Sequence, residues 1–543
     1  MADSEATTSD SKSRLFATHF SSNFNTDNAS TGDISAALRY VPSDVCELGI
    51  TTVTEEQVVR AIRNMKQSFC PGPDGIPTIL LKKCSDLLKA PLALLFTSSL
   101  QSGTFPVSWK SSFMFPVFKK GDKQNVEHYR GITSLCGCSK VLESIVYDYL
   151  MFRVKNYIST SQHGFYPGRS VSTNLLEFTS LCLRSMDQRF QIDAVYTDLK
   201  AAFDRVDHGI LLAKLKKLGA SALLVAWLTS YLRNRQLAVK VGSSISDWFC
   251  NNSGVPQGST LGPLLFSLFI NDITHVLPPG TRLLYADDVK LYAHIETVED
   301  CESLQELIDF FATWCNCNRM TVSIQKCQVI SFHRKKRPLL FDYTLTGQPL
   351  QRDDCVTDLG VVLDAQLSFR RHYTSMIGKA DRQLGFIMRI GKEFNDPGTL
   401  RTLYCSLVRS ILETSCIVWD PLHAVWKQRI ERIQKCFIYR MCRTLTWRDP
   451  GNLPPYEALC MLFGIQTLEH RRREFIVKTT HRILLGEYDC PALLNQFNLY
   501  CPLRPQRQAN LLRLGYHRTN YGLHEPMRRM AQLYNESSAR LNF

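Results

Sequence analysis

The sequence lacks the segments that insert proteins into membranes or direct them to export. Its longest apolar runs, such as APLALLF and LGPLLFSLFI, are shorter than the roughly 18 to 20 residues that cross a bilayer. It begins with MADSEATTSD, which is polar and acidic and unlike the apolar core of a secretory signal. We therefore expect a protein of the nucleus, the cytoplasm or both, neither secreted nor membrane-bound.

The cysteines and histidines lack the spacing of common metal sites. There are 19 cysteines, but the close pairs Cys136 with Cys138 and Cys315 with Cys317 have no second pair or histidine at zinc-finger spacing. The 13 histidines include no HExxH motif. These absences argue against a zinc enzyme, and without a secretory signal we expect reduced thiols rather than disulfides.

Acidic residues are fewer than basic ones. The chain has 64 lysines and arginines against 50 aspartates and glutamates, which gives a net charge of +14. A basic surface attracts nucleic acid because neutralising phosphates releases counterions, although an anionic membrane would attract it too. With 44% hydrophobic and 21% charged residues, the composition is that of a folded protein and excludes disorder of the whole chain.

The pattern of residues divides the chain into segments, and no internal repeat is visible. Residues 1–45 are rich in Ser, Thr, Asp and Asn, and we expect them to form a loosely ordered lead-in. Residues 46–340 mix the periods of helices and strands. Residues 341–445 and 446–543 are mainly helical in pattern.

Several elements can be predicted individually. A capping-box pattern at Thr54 and Gln57 predicts a helix that runs to about Met65. The run FQIDAVYTDL predicts a strand, and RLLYADDVKLYAHI predicts a hairpin with an Asp pair at its turn. Apolar residues at helical spacing predict further helices over residues 301–316, 367–390, 400–417 and 425–442.

Three aspartates in these elements suggest a metal site. Asp198 ends the predicted strand, and Asp287 and Asp288 lie at the turn of the predicted hairpin. Magnesium prefers oxygen ligands, and two ions held by carboxylates can stabilise the attacking and leaving oxygens of a displacement at phosphorus. An Asp pair on a hairpin would by itself fit a solvated turn as well.

Ordered motifs favour the catalytic interpretation. VYTDLKAAFDRVDH, SGVPQGSTLGPLLFSLFINDI and LLYADDVKLY occur in that order and resemble the central motifs of non-LTR retrotransposon reverse transcriptases of the LINE type, especially the jockey-like ones. The flanking segments FCPGPDGIP, SQHGFYPGRSVSTNLL and TDLGVVLDAQLSF also resemble that family. The likeness covers about Val53 to Phe369 and weakens beyond it.

The resemblance implies the fold of a right-hand polymerase, which is an α+β fold. Residues 46–340 would form the fingers and an antiparallel-sheet palm, and residues 341–445 the palm-to-thumb connection and the helical thumb. Residues 446–543 would form an additional helical C-terminal region. The roughly 50 residues that precede the polymerase motifs are too few for the endonuclease domain with which such elements often begin.

The resemblance also implies the metal and nucleotide ligands. Asp198 and Asp287 would ligate Mg²⁺ or Mn²⁺, with Asp288 beside them and the Leu199 carbonyl assisting. Residues that would contact the incoming nucleotide are Lys119 (with Lys120 as a competitor), Arg130, Phe203, Gln257, Gly258 and Lys326. Phe203 would exclude the ribose 2′-hydroxyl, or it could be a core aromatic of the following helix. Lys326 would protonate the departing pyrophosphate.

Nucleic-acid contacts are expected outside this centre. Arg169 in SQHGFYPGRS is assigned to nucleic-acid binding together with three residues of the predicted helix near Val425, namely Lys427, Arg432 and Lys435. A guanidinium or ammonium suits phosphate oxygens. The alternative is that the basic face of this helix is merely solvated.

The function that follows is an RNA-directed DNA polymerase that extends a DNA primer on an RNA template with deoxynucleotides. No membrane is involved, and protein partners are not predicted. An RNA-dependent RNA polymerase also carries a hairpin Asp pair, but the aromatic Phe203 argues against it. A catalytically inactive nucleic-acid-binding remnant of a mobile element is the other alternative, against which the intact aspartates argue.

Overall fold

The structure is a computed structural model that describes residues 6–391, 393, 396–445, 453–500 and 510–538. Parts of the segments predicted as 1–45 and 446–543 therefore lie outside the described residues. The strands are β1 (Ser111–Phe118), β2 (Tyr129–Ser134), β3 (Gln191–Thr197), β4 (Arg235–Val241), β5 (Ser244–Ile245), β6 (Phe249–Asn251), β7 (Arg282–Tyr285), β8 (Asp288–Ile295), β9 (Gln328–Phe332), β10 (Thr344–Leu345), β11 (Gln348–Pro349), β12 (Gln351–Arg352), β13 (Cys355–Asp358) and β14 (Val361–Asp364).

Helices precede, connect and follow these strands. Before β9 they are α1 (Ser9–Ser21), α2 (Thr31–Ala37), α3 (Glu55–Asn64), α4 (Thr78–Lys83), α5 (Ser85–Gln101), α6 (Gly137–Val154), α7 (Val171–Asp187), α8 (His208–Lys217), α9 (Ala222–Leu232), α10 (Gly262–Ile270), α11 (Ile273–Val276) and α12 (Val298–Cys317). After β14 they are α13 (Arg370–Ile390), α14 (Pro397–Tyr404), α15 (Ser410–Glu413), α16 (Cys416–Trp419), α17 (Ala424–Leu445), α18 (Tyr456–Leu462), α19 (Leu468–Leu484), α20 (Pro491–Leu494), α21 (Asn520–Leu523) and α22 (Pro526–Ser538).

The central sheet has the strand order β12-β9-β3-β8-β7. Its neighbours pair antiparallel, except that the short edge strand β12 runs parallel to β9. The strand predicted from FQIDAVYTDL is β3, and the hairpin predicted from RLLYADDVKLYAHI is β7–β8, so both predictions are confirmed. The mixture of helices with largely antiparallel strands also confirms the predicted α+β class.

Hydrophobic cores cover both faces of the central sheet. Side chains alternate between faces along a strand, and in β3 Ile192 and Ala194 belong to one core whereas Val195 belongs to the other. Helix α7 packs on the first face and α12 packs on the second, against β8. The predicted amphipathic helix over residues 301–316 is α12, which begins at the capping residue Thr297 and buries the predicted stripe.

A second, outer sheet contains β2, β1, β4 and β5 in that order, with β6 also paired to β4. Its hairpin β1–β2 is antiparallel, whereas β1 and β4 run parallel. Helix α3 packs against α5 and α6. It begins at Thr54, whose side chain forms the predicted reciprocal cap with that of Gln57. The prediction of that helix is therefore confirmed.

The prediction of a loosely ordered lead-in is wrong for its described residues. Helix α1 begins with a capping box between Thr8 and Ser11 and packs against β4. Its residues Phe16 and Phe20 are buried in a small core with Met114 of β1. The two phenylalanines are one helical turn apart, which places them on the same face and lets a polar segment bury an apolar stripe.

The region after β14 is helical, as its pattern predicts. The predicted helices over 367–390 and 425–442 are α13 and α17. The helix predicted over 400–417 is interrupted twice. A π-helical turn over Cys405–Arg409 joins α14 to α15, and α15 ends before Ser415, which has φ 53°. Among the described residues, no helix is both long and apolar enough to cross a membrane.

Candidate active site

The strand end and the hairpin turn bring the three predicted aspartates to one edge of the central sheet. Thr197 of β3 is the partner of Val289 in β8, and Tyr285 is the partner of Asp288 across the β7–β8 hairpin. Continuing the antiparallel register by one residue places Asp198 opposite Asp288. Asp198 and Asp288, 90 positions apart in the sequence, are thus cross-strand neighbours, and Asp287 lies in the turn that joins β7 to β8.

The turn itself has an unusual backbone. It joins β7 to β8 through Ala286 and Asp287, and Ala286 has φ 57°. Tight hairpin turns require a positive φ because it matches the twist of the strands, and glycine usually occupies that position. Here an alanine adopts it, immediately before Asp287.

Electrostatics at this edge raise the pKa of both hairpin carboxyl groups. Burial raises the pKa of Asp287, and the negative charge of Asp198 adds to that effect. The pKa of Asp288, which lines a cavity, is raised to about 6, first by desolvation and then by the charges of Asp287 and Asp198. Carboxylates this close repel one another, so the site favours cations.

Basic residues of the hairpin β1–β2 face the aspartates. The charges of Lys119 and Arg130 oppose the rise in the pKa of Asp287, which shows that both lie close to it. Arg130 is in β2. The Lys119 amide donates to the backbone carbonyl oxygen of His128 at 2.8 Å, so Lys119 continues the pairing of β1 with the chain before β2. Lys120, the predicted competitor of Lys119, lines a cavity of about 500 Å³. Asp198, Asp288 and Lys326 line the same cavity.

Lys326 lies beside Asp198. Its Nζ is 3.4 Å from Oδ2 of Asp198, and 65% of its side chain is exposed. The Ser323 amide donates to the carbonyl oxygen of Asp198 at 2.8 Å, so the turn that carries Lys326 is fixed to the end of β3. The lysine is therefore held beside the carboxylate but can still move into the cavity.

The predicted glycine-rich loop packs against β2. The Thr133 amide donates to the carbonyl oxygen of Gln257 at 3.0 Å. Gly258 has φ 100°, and a Cβ at this position would be 2.6 Å from the Thr133 carbonyl oxygen. A glycine is needed here both for the backbone conformation and for the close approach.

Gln257 contacts a carboxylate that the sequence analysis did not single out. Its Nε2 donates to Oδ1 of Asp204 at 2.6 Å. Burial raises the pKa of Asp204 to about 6, and the hydrogen bond from Gln257 and the charge of Arg130 oppose this rise. Asp204 therefore orients Gln257 beside Arg130; its signal in the sequence was the second aspartate of TDLKAAFD.

Phe203 packs against the core, which is one of the two interpretations that the sequence leaves open. Its ring stacks on Phe266 of α10, with centroids 4.3 Å apart, and meets Phe165 edge-on at 5.8 Å. It is half-buried at the margin of the core that lies under the central sheet. The ring is therefore held in place by its neighbours, and its part in selecting the sugar stays a prediction.

The Leu199 carbonyl remains available for a ligand. Leu199 forms an isolated antiparallel bridge with Val322. The hydrogen bonds of this bridge are made by the flanking residues: the Lys200 amide donates to the Thr321 carbonyl, and the Ser323 amide donates to the Asp198 carbonyl. In the described part of the chain no hydrogen bond ends on the Leu199 carbonyl oxygen. This geometry is compatible with the predicted assisting role.

Arg169 has a structural role instead of the predicted nucleic-acid contact. Its side chain is 2% exposed and donates to the carbonyl oxygens of Ser159, Gln162 and Asp489 at 2.7 to 2.8 Å. The guanidinium also stacks on Tyr166, with 3.7 Å to the ring centroid. With its donors directed to buried carbonyl groups, it cannot reach a phosphate.

The three basic residues predicted on α17 differ in their surroundings. Lys427 forms an ion pair with Glu469 at 2.8 Å, and Lys435 lies over the Tyr456 ring at 4.9 Å. Arg432 is exposed, and it forms no hydrogen bond or ion pair with the residues that the structure describes. Of the three, it is the one whose charge is directed to solvent.

The carboxylates fit a divalent cation that receives part of its coordination from a substrate. Among the described residues, no group of three His, Cys, Asp or Glu side chains is close enough to hold an ion without other ligands. Magnesium, however, usually retains waters and binds through one or two carboxylates together with substrate phosphates. Asp198 and Asp288, which are cross-strand neighbours, provide such a partial set together with Asp287 in the adjoining turn.

Comparison with known proteins places the site in a family. Residues 118–363 match the family described as reverse transcriptase (RNA-dependent DNA polymerase). The chain is similar to a probable RNA-directed DNA polymerase from transposon BS of Drosophila melanogaster, with 32% identity over 60% of this chain and 37% of that protein. It is also similar to the RNA-directed DNA polymerase from mobile element jockey of the same organism, with 29% identity over 61% of this chain. A third relative is a probable RNA-directed DNA polymerase from transposon X-element of that organism, with 28% identity over 61% of this chain.

Residues 118–363 are therefore a reverse transcriptase domain, with the polymerase palm that this family implies. The resemblance to jockey-like non-LTR retrotransposon enzymes is confirmed. The domain includes the whole central sheet and the three aspartates at its edge. The chain spans about 37% of the length of the curated relatives named above.

Proposed function

We propose that this chain is the RNA-directed DNA polymerase of a non-LTR retrotransposon, which adds deoxynucleotides to the 3′-hydroxyl of a primer. The observation that carries the proposal is the register of β3 and β8, which places Asp198 opposite Asp288 beside the turn that holds Asp287. Two divalent cations, Mg²⁺ or Mn²⁺, would be held by these carboxylates and the Leu199 carbonyl, and when bound they supply charge stabilisation for both oxygens of the displacement.

The surrounding residues would bind and orient the nucleotide. Lys119 and Arg130, which face Asp287 from the outer sheet, would bind the triphosphate oxygens, for which a guanidinium fork is well suited. Lys326 would donate a proton to the leaving pyrophosphate from its place beside Asp198.

Two further contacts would select the nucleotide. The exposed side of the Phe203 ring would exclude a ribose 2′-hydroxyl, because the ring is fixed by its stacking on Phe266. Gln257 would contact the nucleotide or template through the side-chain oxygen that its bond to Asp204 leaves available.

The proposed architecture is that of a right hand. The outer sheet with α3 to α6 would be the fingers, the central sheet the palm, and α13 to α17 within residues 341–445 the helical thumb. Residues 446–543 would be an added helical region. An RNA template and a DNA primer would lie in the cleft in front of the three aspartates, and the protein would act in the nucleus, the cytoplasm or both.

Primer extension with the purified full chain tests the proposal. We expect incorporation of deoxynucleotides on an RNA template with Mg²⁺ or Mn²⁺, and a loss of at least about 100-fold in kcat for Asp287→Asn, because a ligand of the reacting ions is removed. The matched control is Asp381→Asn on the exposed face of α13, which should extend primers like the wild type. Binding of primer-template without incorporation under either metal would instead support an inactive remnant.

The same assay tests the selection of the sugar. Phe203→Ala should allow ribonucleotides to be incorporated while deoxynucleotide incorporation continues, because the ring that would collide with the 2′-hydroxyl is gone. Equal discrimination by Phe203→Ala and the wild type would assign Phe203 to the core alone.

A further inference from the structure

The short segment 161–164 runs beside the strand that leads into the active-site turn. The Leu284 amide donates to the Ser161 carbonyl and the His163 amide donates to the Leu284 carbonyl, both at 2.9 Å. Gln162 and Leu284 thus form a parallel bridge. The side chain of Asn174 donates to the same Leu284 carbonyl at 3.1 Å. The segment is therefore fixed to β7 immediately before the turn.

The side chain of Gln162 is bonded to the turn itself. Its Oε1 accepts a hydrogen bond from the amide of Ala286 at 2.9 Å and another from the amide of Gly164 at 2.8 Å. Its Nε2 donates to the Ala286 carbonyl oxygen at 3.3 Å. The residue is 2% exposed, so water cannot replace these bonds if they are lost.

The peptide held in this way is the strained one. Ala286 adopts φ 57°, a left-handed conformation that is unfavourable for a residue with a Cβ. Such a conformation persists where the surroundings determine it. Gln162 bonds both the amide and the carbonyl of Ala286, and the next residue in the chain is Asp287.

Gly164 leaves the space that this contact needs. A Cβ on Gly164 would be 2.2 Å from the Ala286 nitrogen and 3.0 Å from its Cα. The backbone of Gly164 does not have a positive φ, so an alanine would suit its conformation but would collide with the turn. The glycine is required for the close approach of the two chains.

Arg169 fixes the segment from the other side. It donates to the carbonyl oxygens of Gln162 at 2.8 Å and of Ser159 at 2.7 Å, and its Nε donates to the carbonyl of Asp489 at 2.7 Å. The backbone of Gln162 is therefore held while its side chain holds Ala286. A continuous set of hydrogen bonds connects residue 489 in the C-terminal region with the residue before Asp287.

We propose that Gln162 is a positioning residue, which fixes the Ala286 peptide and thereby the direction of the Asp287 carboxylate. The inference rests on the proposed polymerase function, because it concerns the orientation of a carboxylate that takes part in that reaction. Gln162 touches neither substrate nor cation, and its effect passes through the backbone of the turn. Displacing reacting groups by about 1 Å can cost about 100-fold in rate.

The chain offers a matched control for removing this glutamine. Gln191, at the opposite end of β3 from Asp198, is also buried and also bonds the backbone amide and carbonyl of a single residue. Its Nε2 donates to the Leu339 carbonyl at 2.8 Å, and its Oε1 accepts from the Leu339 amide at 3.1 Å. Gln162→Met and Gln191→Met therefore each lose the bonds to both polar groups of one residue, one at the turn and one far from it. Gln191→Met also removes a hydrogen bond to the buried Asp193 at 2.8 Å, so it is the harsher of the two changes.

Amide hydrogen exchange in the full chain, without any metal or nucleic acid, is the first measurement. We expect the peptide that covers Tyr285 to Val289 to exchange about fivefold faster or more in Gln162→Met, because the Ala286 amide has lost its acceptor. In Gln191→Met this peptide should exchange as in the wild type. Unchanged exchange in Gln162→Met would overturn the proposal.

Steady-state primer extension is the second measurement. We expect Gln162→Met to lower kcat about 10- to 100-fold, as removal of the residues that orient metal ligands does elsewhere, and to require more Mg²⁺ or Mn²⁺ for half-maximal rate. The KM for deoxynucleotide should change less than kcat. Equal kinetics in Gln162→Met and Gln191→Met would reduce Gln162 to a structural residue.

A second variant keeps the proposal testable if Gln162→Met does not fold. Gly164→Ala pushes the turn away while leaving the glutamine in place, and it should lower kcat and speed exchange of the same peptide. Its control is Gly378→Ala in α13, where the nearest atom to an added Cβ is a mobile arginine nitrogen at 3.7 Å. A wild type that incorporates nothing would refute the polymerase function, whereas an active wild type with active Gly164→Ala refutes this inference alone.

Discussion

Asp288 and Lys290 lie two residues apart on the same face of strand β8, but their charges have different surroundings. Asp288 lies in the cavity among carboxylates, and its pKa is raised to about 6 by burial and by the charges of Asp287 and Asp198. Lys290 is 4% exposed and is paired with Asp358 of β13, which also accepts a hydrogen bond from Tyr196 at 3.1 Å.

The difference separates structural charge from functional charge. Lys290 has a complete set of partners, including the rings of Phe178 and Tyr196 at 4.1 and 5.2 Å. Burying a charge costs little net free energy only when such partners are present. Asp288 has like charges as neighbours, which is costly for the free protein and useful for a site that receives a cation. The unpaired charge of Asp288 therefore supports the proposed cation site.

Removing one partner of the buried pair should give the largest change in stability. Lys290→Met leaves the Asp358 carboxylate buried with the Tyr196 hydroxyl as its remaining partner, and the free energy of unfolding should fall by about 3–5 kcal/mol. Urea unfolding at pH 7.5, followed by circular dichroism, measures it.

The double variant Lys290→Met with Asp358→Leu provides the control. Because it removes both charges, most of the stability should return. A single variant as stable as the wild type would mean that the pair contributes nothing, and the contrast with Asp288 would lose its basis.

Removing the charge of Asp288 should stabilise the protein, in contrast to removing the charge of Lys290. A carboxyl group with a raised pKa binds its proton more tightly in the folded state, so its favourable contribution is present at low pH. This contribution is lost as the pH rises from the ordinary value of 3.8 through about 6. Asp288→Asn should therefore raise the free energy of unfolding at pH 7.5 by about 1 kcal/mol after allowance for solvent screening.

Thermal unfolding without divalent cations at pH 7.5 and at pH 4 measures this effect. The gain should be present at the higher pH and absent at the lower one, where the wild-type carboxyl is itself neutral. Asp381→Asn, on an exposed helical face, should show little change at either pH. A variant that is less stable than the wild type at pH 7.5 would refute the assignment of uncompensated charge.

The elements around the aspartates could be predicted because their signals are local. The run FQIDAVYTDL shows its strand period directly, and LLYADDVKLY shows two apolar arms around a turn. Once β3 and the β7–β8 hairpin are paired, Asp198 and Asp288 are brought together by register alone. The family motifs added the expectation that these strands are adjacent.

The contacts that support the site could not be predicted in the same way. Gln162 with Ala286, and Lys290 with Asp358, join residues far apart in the chain, and no period or spacing identifies such partners. For the same reason Arg169 was assigned to nucleic acid, although its acceptors are backbone carbonyl groups that a sequence does not reveal. In α1 the signal was present in Phe16 and Phe20 but was short among polar residues.

The distinction between paired and unpaired charge also applies to the basic helix α17. Lys427 is paired with Glu469, whereas Arg432 is exposed and makes no ion pair with the described residues. If α17 lies against phosphates, Arg432→Ala should weaken binding of primer-template several-fold and lower the slope of log affinity against log salt by about 1. Lys427→Ala should change both less, because its charge is already compensated. Fluorescence anisotropy across a range of salt concentrations compares the two, and equal salt slopes for Arg432→Ala and the wild type would leave α17 with a merely solvated face.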